Sequence, residues 1–268
     1  MVTNRILVRT VCAPLTCVCV LSLPARADAQ TAVAAVPEAV TTVPGVSSEG
    51  SSLGSIFGDT IQDFRRLPSQ DALRWLGIGA VAASLGRSMD RPVSRGMSTS
   101  PLLDNLFDPG EAIGGARLQL GGALVTYAVG RATRSPKVTL VGADLLQAQI
   151  MSQVLTAGVK MAVRRTRPDG TGYSFPSGHA SVTFASATVL QRDLGWKFGI
   201  PAYGVATYVA ASRIQEQRHF LSDVAFGAAI GIMAGRTVTL GRGDGRFALA
   251  PVATPGGGGV SFTWVGRK

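Results

Sequence analysis

The chain of 268 residues holds only two histidines, His179 and His219, so any imidazole chemistry must run through them. His219 precedes Asp223 by four residues in the stretch that runs from Ser212-Arg213 to Ser222-Asp223. On a helix, that spacing puts both on one face within hydrogen-bonding reach; a carboxylate on one imidazole nitrogen fixes the tautomer and makes the other a better nucleophile. The same pair also suits a solvated helix surface. On one continuous helix Arg213 and His219 would stand about 120° apart, so a break is expected near 214–218. His179 follows the turn Gly172-Tyr173-Ser174-Phe175-Pro176-Ser177-Gly178, which leads straight into an apolar periodic segment. Free N–H groups and the Ser177 hydroxyl at that helix start would form an anion site, with Gly178 allowing close backbone approach. His179 at its mouth could give a proton to a leaving oxygen, although a plain capping turn has the same composition. Upstream, Lys160, Arg164 and Arg167 are spaced to share one narrow helical face, with Arg165 pointing away and Pro168 ending the helix. Such a cation triad could hold a phosphate dianion, but basic residues also favour any helix C-terminus.

Helices must carry these groups. The apolar periodicity predicts six, at roughly 70–88, 112–132, 138–165, 179–193, 198–213 and 219–237. The apolar blocks Trp75–Gly86, Leu118–Gly130, Phe198–Ser212 and Val224–Gly235 are shorter than the roughly 20 residues a bilayer span needs. The third helix also carries Asp144, Gln147, Gln149 and Gln153, so the blocks read as the core of a compact bundle, soluble or membrane-peripheral. After position 238 the texture changes. Phe247–Ala253 and Val260–Val265 flank Thr254-Pro255 and four glycines, which gives a C-terminal extension over 239–268 as a short β-hairpin or flexible segment.

Residues 1–29 have the parts of a secretory signal: Arg5 and Arg9, an apolar run from Thr10 to Pro24, and Ala27-Asp28-Ala29 as a cleavage site. An uncleaved anchor is the alternative reading. All three cysteines, Cys12, Cys17 and Cys19, lie inside it, so the chain after cleavage would have neither disulfides nor a cysteine metal site. Residues 30–56 are a linker rich in Ala, Val, Pro, Ser and Thr, with Glu38 and Glu49 as their only charges. The formal charge is +10; without Arg5, Arg9, Arg26 and Asp28 it is 23 basic against 15 acidic residues, or +8. That surplus on an exported protein points to anionic partners such as phosphorylated substrates or lipid headgroups, and serves equally as solubility charge. Nucleic acid is not the expected partner, because no basic run with interleaved aromatics occurs.

Taken together, the three clusters have a common pattern: a lysine, six residues and Arg-Pro; then Pro-Ser-Gly-His; then Ser-Arg, five residues, His, three residues, Asp. This resembles the three-part signature of the type 2 phosphatidic acid phosphatase (PAP2) and vanadium haloperoxidase superfamily. Lys160, Arg167, Pro168, Pro176, Ser177, Gly178, His179, Ser212, Arg213, His219 and Asp223 fill its positions in order. Phe175 and Ala180-Ser181 look like the lipid-phosphatase branch.

The resemblance implies an all-α, PAP2-like helical domain over 57–238 and phosphoester hydrolysis with no metal or other cofactor. His219 would attack phosphorus to give a phosphohistidine, Asp223 would orient it, and His179 would protonate the leaving oxygen and then activate water. Lys160, Arg167, Ser177, Gly178 and Arg213 would bind the phosphoryl oxygens; Arg164 is outside the motif, and only its place on the Lys160 face suggests an outer supporting role. The substrate would be a phosphorylated or diphosphorylated lipid, or a small phosphoester as for a non-specific acid phosphatase; the signal segment places the enzyme in the periplasm or on the inner membrane with its site facing the periplasm. Vanadate would inhibit. In a haloperoxidase it would instead be the cofactor, held by His219, but the chain lacks that branch's large helical additions. A non-enzymatic binder of anionic lipid is a third reading. Nearby cations should depress the histidine pKa values and Asp223 should raise its partner's, giving a bell-shaped profile on the acid side of neutrality.

Overall fold

The computed structural model describes residues 7–13, 16–22, 53–98, 101–240, 246–254 and 257–265. It divides into two units. In the first, strands β1 (Leu7–Ala13), β2 (Thr16–Ser22), β3 (Arg246–Thr254) and β4 (Gly257–Val265) pair antiparallel in the order β1-β2-β4-β3. β3 and β4 fall within the expected C-terminal extension, whereas most of the expected signal and linker lies outside the described residues.

The second unit, Ser48–Leu240, is helical. Six of its helices follow the expected periodic segments: α2 (Gln70–Gly86), α6 (Ala116–Ala132), α7 (Pro136–Val163), α8 (Gly178–Leu194), α9 (Trp196–Gln215) and α10 (Leu221–Val238). The six-helix reading falls short, because α1 (Leu53–Arg65), α3 (Asp90–Ser98), α4 (Pro101–Phe107) and α5 (Pro109–Gly114) are helical too. α1 takes in the last residues assigned to the linker. α3, α4 and α5 have six to nine residues each, too few to display a helical period, which is why the sequence hid them.

Local signals set several starts. The Ser69 side chain accepts the Ala72 N–H at 3.1 Å, and Ser135 precedes Pro136 at the first position of α7. Gly195, at φ +87°, makes the sharp turn from α8 to α9 that a side chain would strain.

α7, α8 and α10 form the centre. Ala148, Met151, Ala185, Val189, Ala234 and Val238 make one buried cluster, each large apolar side chain contributing about 1.5–3 kcal/mol relative to exposure. α10 lies very close to α8: a Cβ at Gly227 would fall 2.5 Å from the Ser177 carbonyl oxygen, and one at Gly231 2.2 Å from that of Ser181. This approach brings the starts of the two helices together, and the Ser177 N–H donates to the Asp223 carbonyl at 2.9 Å.

The outer helices depart from the core-only reading. Leu73, Ile78, Val81 and Leu85 of α2, Leu118, Leu124, Val125 and Val129 of α6, and Trp196, Phe198, Ile200 and Val205 of α9 are all exposed. A helix in a bundle needs an apolar stripe, and blocks apolar on every side supply more than the core takes up. α7 and α10 are the helices long and apolar enough to cross a membrane among the described residues, and 67% of each such window is buried inside the unit.

Candidate active site

The cationic cluster is built at the end of α7. The helix stops at Val163 because Arg164 takes up the left-handed conformation (φ 49°), its N–H still donating to the Lys160 carbonyl at 3.0 Å. Pro168 is therefore not the terminator, and the single basic helical face does not exist. Arg164 is exposed and its Nε donates to the Met161 carbonyl, so it leaves the site. Lys160 turns its Nζ to the Tyr173 carbonyl at 2.7 Å. Burial, and then the Arg167 charge, lower the Lys160 ammonium to about 8.

The Pro-Ser-Gly-His turn caps α8. Ser177 is the N-cap residue, fully buried, with its Oγ 3.5 Å from the Ala180 N–H. The N–H groups of Gly178 and His179 begin the helix, where no intrahelical acceptor exists. A Cβ on Gly178 would meet protein only at Thr156, 3.9 Å away, so no packing demand accounts for this glycine. That leaves room for a ligand to approach the backbone. His179 lies against the α5–α6 corner, where a Cβ on Gly114 would reach 3.0 Å from its Cδ2. Burial first, then the charges of Arg213 and His219, bring His179 down to about 4 against a hydrogen bond to the Glu111 backbone.

The third cluster straddles a break. α9 ends at Gln215 and α10 begins at Leu221, so His219 stands before the N-cap residue Phe220 and not on a helix. Asp223, in the first turn, reaches back as α10's capping carboxylate, its Oδ2 accepting the Phe220 N–H at 2.8 Å. His219 Nδ1 is 3.8 Å from that oxygen, an ion-pair distance and not the hydrogen bond expected from the spacing. The carboxylate is occupied elsewhere: Ser174 Oγ donates to Oδ2, and Arg165 Nη1 donates to Oδ1 at 2.7 Å. Asp223 is fully buried; burial pushes its pKa up, but these donors and the nearby imidazole outweigh that and hold it low. Burial lowers the His219 pKa too, with Lys160 and Arg167 adding to the effect and Asp223 opposing it.

The sequence reading missed Arg165. It turns inward, its Nη2 donating to Asp90 Oδ2 and its Nη1 to Ser222 Oγ and Asp223, all at 2.7 Å, with its guanidinium 4.3 Å from the Phe220 ring centre. Asp90, at the start of α3, also accepts the Ser222 N–H and hydroxyl at 2.9 and 2.7 Å. No signal in the sequence links Asp90 to a site more than 70 residues away.

Arg213 is 2% exposed, and its Nη2 donates to Glu216 Oε2 at 2.5 Å while Nε and Nη1 have no protein partner. Arg167 Nε is likewise buried without one. Unused donors on two neighbouring guanidiniums suit an oxyanion. The structure thus brings together Lys160, Arg167, Ser177, Gly178, His179, Arg213, His219 and Asp223; the charged members fall within each other's electrostatic range. Among the described residues, no three His, Cys, Asp or Glu side chains gather to hold a metal ion.

Fold and site together define a helical protein with a buried cationic pocket flanked by two imidazoles. Residues 169–245 match the family model of the PAP2 superfamily. Lipid A 1-phosphatase of Porphyromonas gingivalis is 41% identical over 96 residues, covering 34% of this chain and 21% of the relative. Decaprenylphosphoryl-5-phosphoribose phosphatase of Mycobacterium tuberculosis is 38% identical over 90 residues, 30% of this chain and 49% of the relative. The chain therefore spans half or less of these curated relatives. A crystal structure of a transmembrane PAP2 type phosphatidylglycerolphosphate phosphatase from Bacillus subtilis aligns with a TM-score of 0.50 at 20% identity, covering 69% of this chain and 93% of that one, which supports the helical fold.

Proposed function

We propose that the protein is a phosphatase of the PAP2 type that hydrolyses phosphate monoesters or diphosphates of lipids without a metal ion. The observation that carries this reading is the convergence of unpartnered Arg167 and Arg213 donors with His179 and His219 at the capped start of α8. Phosphoryl transfer depends mainly on positioning and on stabilising charge on the equatorial oxygens, and this site offers both.

With Nδ1 turned toward Asp223, the other ring nitrogen, Nε2, is the nucleophile. It forms a bond to phosphorus while the bond to the leaving oxygen breaks, and His179 gives that oxygen its proton. His179 then takes a proton from water, the water oxygen bonds to phosphorus, and the phosphorus–nitrogen bond breaks to return neutral His219. Lys160, Arg167, Arg213, the Ser177 hydroxyl and the Gly178 N–H hold the phosphoryl oxygens through both steps. Vanadate, which adopts the same geometry as the transferring group, acts as an inhibitor.

A lipid substrate is supported by the relatives, whose names specify phosphorylated lipids, and by the apolar side chains that α2, α6 and α9 turn outward. These make the protein membrane-associated; export with the site facing the periplasm rests on the sequence of residues 1–29. The test is phosphate release in excess EDTA, comparing wild type with His219→Ala on dispersed phosphatidate and on a soluble aryl phosphate. Release by wild type alone is the expected result. Release that needs added metal, or that survives the substitution, overturns the mechanism.

A further inference from the structure

Beside the phosphate pocket lies a cavity of about 660 Å³, within the usual range for a small-molecule site. Its walls include Arg87, Arg91 and Arg95, Arg165, Arg167 and Gln217. The first three are spaced four residues apart through the turn Arg87–Met89 and α3, and they share one side. They are exposed, and among the described residues none of them makes an ion pair. The one carboxylate in the lining, Asp90, is already engaged by Arg165 and by Ser222. Arg87, Arg91 and Arg95 thus face the cavity without an ion-pair partner among the described residues, beside Arg167.

Their placement is fixed. Ser94 on α3 donates its hydroxyl to Gln217 Oε1 at 2.9 Å, and Gln217 Nε2 donates to the Ser94 carbonyl at 2.7 Å. Gln217 lies in the turn between Arg213 and His219, so α3 and its arginines are tied to the segment that carries the nucleophile. Arg167 lines this cavity and belongs to the phosphate site as well, so the two are neighbours. Arginine is the side chain suited to a phosphate, because its planar donors match two oxygens at once.

We propose that this cavity binds a second phosphate of the same substrate molecule, so that the preferred substrates carry two separated phosphate groups. The inference rests on the phosphatase reading for the word substrate, but the cavity's affinity can be tested without turnover. The probes are a series of α,ω-alkane bisphosphonates of increasing chain length, together with the matching monophosphonates; none is hydrolysed.

On the full chain, one bisphosphonate length should bind at least about tenfold tighter than its monophosphonate, a difference of about 1.4 kcal/mol. The double variant Arg91→Ala/Arg95→Ala, which touches no group assigned to chemistry, should bind the two alike and keep wild-type turnover of an aryl phosphate. Equal affinity for both probes in the wild type overturns the proposal, as does a preference that survives in the double variant. Weakened binding to phosphatidylglycerol vesicles with an unchanged bisphosphonate preference would also overturn it, by assigning these arginines to the bilayer surface. If the bisphosphonate preference is found but aryl phosphate is never turned over, the cavity stands and the phosphatase reading falls.

Discussion

Replacing Arg165 by methionine tests whether this residue, outside the recognised signature, holds the nucleophile's carboxylate in place. Its guanidinium makes three bonds of 2.7 Å and bridges two buried carboxylates, Asp90 and Asp223. Removing one partner of a buried charge pair costs about 3–5 kcal/mol, because the remaining charge stays out of water without compensation. Here two carboxylates would be left, Asp90 with only the Ser222 donors and Asp223 with only Ser174 and the Phe220 N–H, so the upper end of that range is expected. The chemistry should change as well. Loss of a positive charge near His219 favours the imidazolium, so its pKa rises and the acid limb of kcat/KM moves to higher pH. Arg165→Lys keeps the charge but cannot reach Asp90, Ser222 and Asp223 together. It should leave the limb where it is while lowering kcat by about 10- to 100-fold through lost alignment. Chemical denaturation gives the stability, and pH–rate profiles on an aryl phosphate give the rest. Wild-type kcat/KM in the methionine variant, or a limb that moves equally in both variants, would refute the reasoning.

Two further outcomes follow from the same geometry. His179 lies near 4 in the free protein, and a bound dianion favours its imidazolium, so sulfate binding should take up a proton above about pH 4 and weaken as pH rises from there. Calorimetry in two buffers of different ionisation enthalpy measures this, and equal uptake by His179→Ala would remove the assignment. Gly227→Ala places a Cβ 2.5 Å from the Ser177 carbonyl oxygen and must push α10 from α8, costing about 1–3 kcal/mol and lowering kcat with it. Unchanged stability and rate in that variant would show that the helix starts are not held in register by this contact.

Much of the site was legible because it is written locally. The spacing of Lys160, Arg167, Ser177, Gly178, His179, Arg213, His219 and Asp223 is a property of three short segments, and so are the capping serine of α8 and the break before His219. Long periodic segments likewise announced α2 and α6 through α10, whereas α3, α4 and α5 are shorter than the pattern needed to detect them. Helical angles also misled: Lys160, Arg164 and Arg167 share a face only if the helix continues, and one residue at φ 49° ended it and sent Arg164 out and Arg165 in.

Chain order therefore determined by itself which chemical groups are present, at what spacing, and that helices carry them, because helical period and capping are short-range physics. Only the tertiary structure decided which groups are paired. Asp223 is held by Ser174 and, at 2.7 Å, by Arg165, with His219 further off at 3.8 Å. Asp90 reaches Ser222 across 132 positions, and α3 with the turn before it brings Arg87, Arg91 and Arg95 beside Arg167. Those choices depend on which donors burial leaves without water, and that is settled only when distant helices pack.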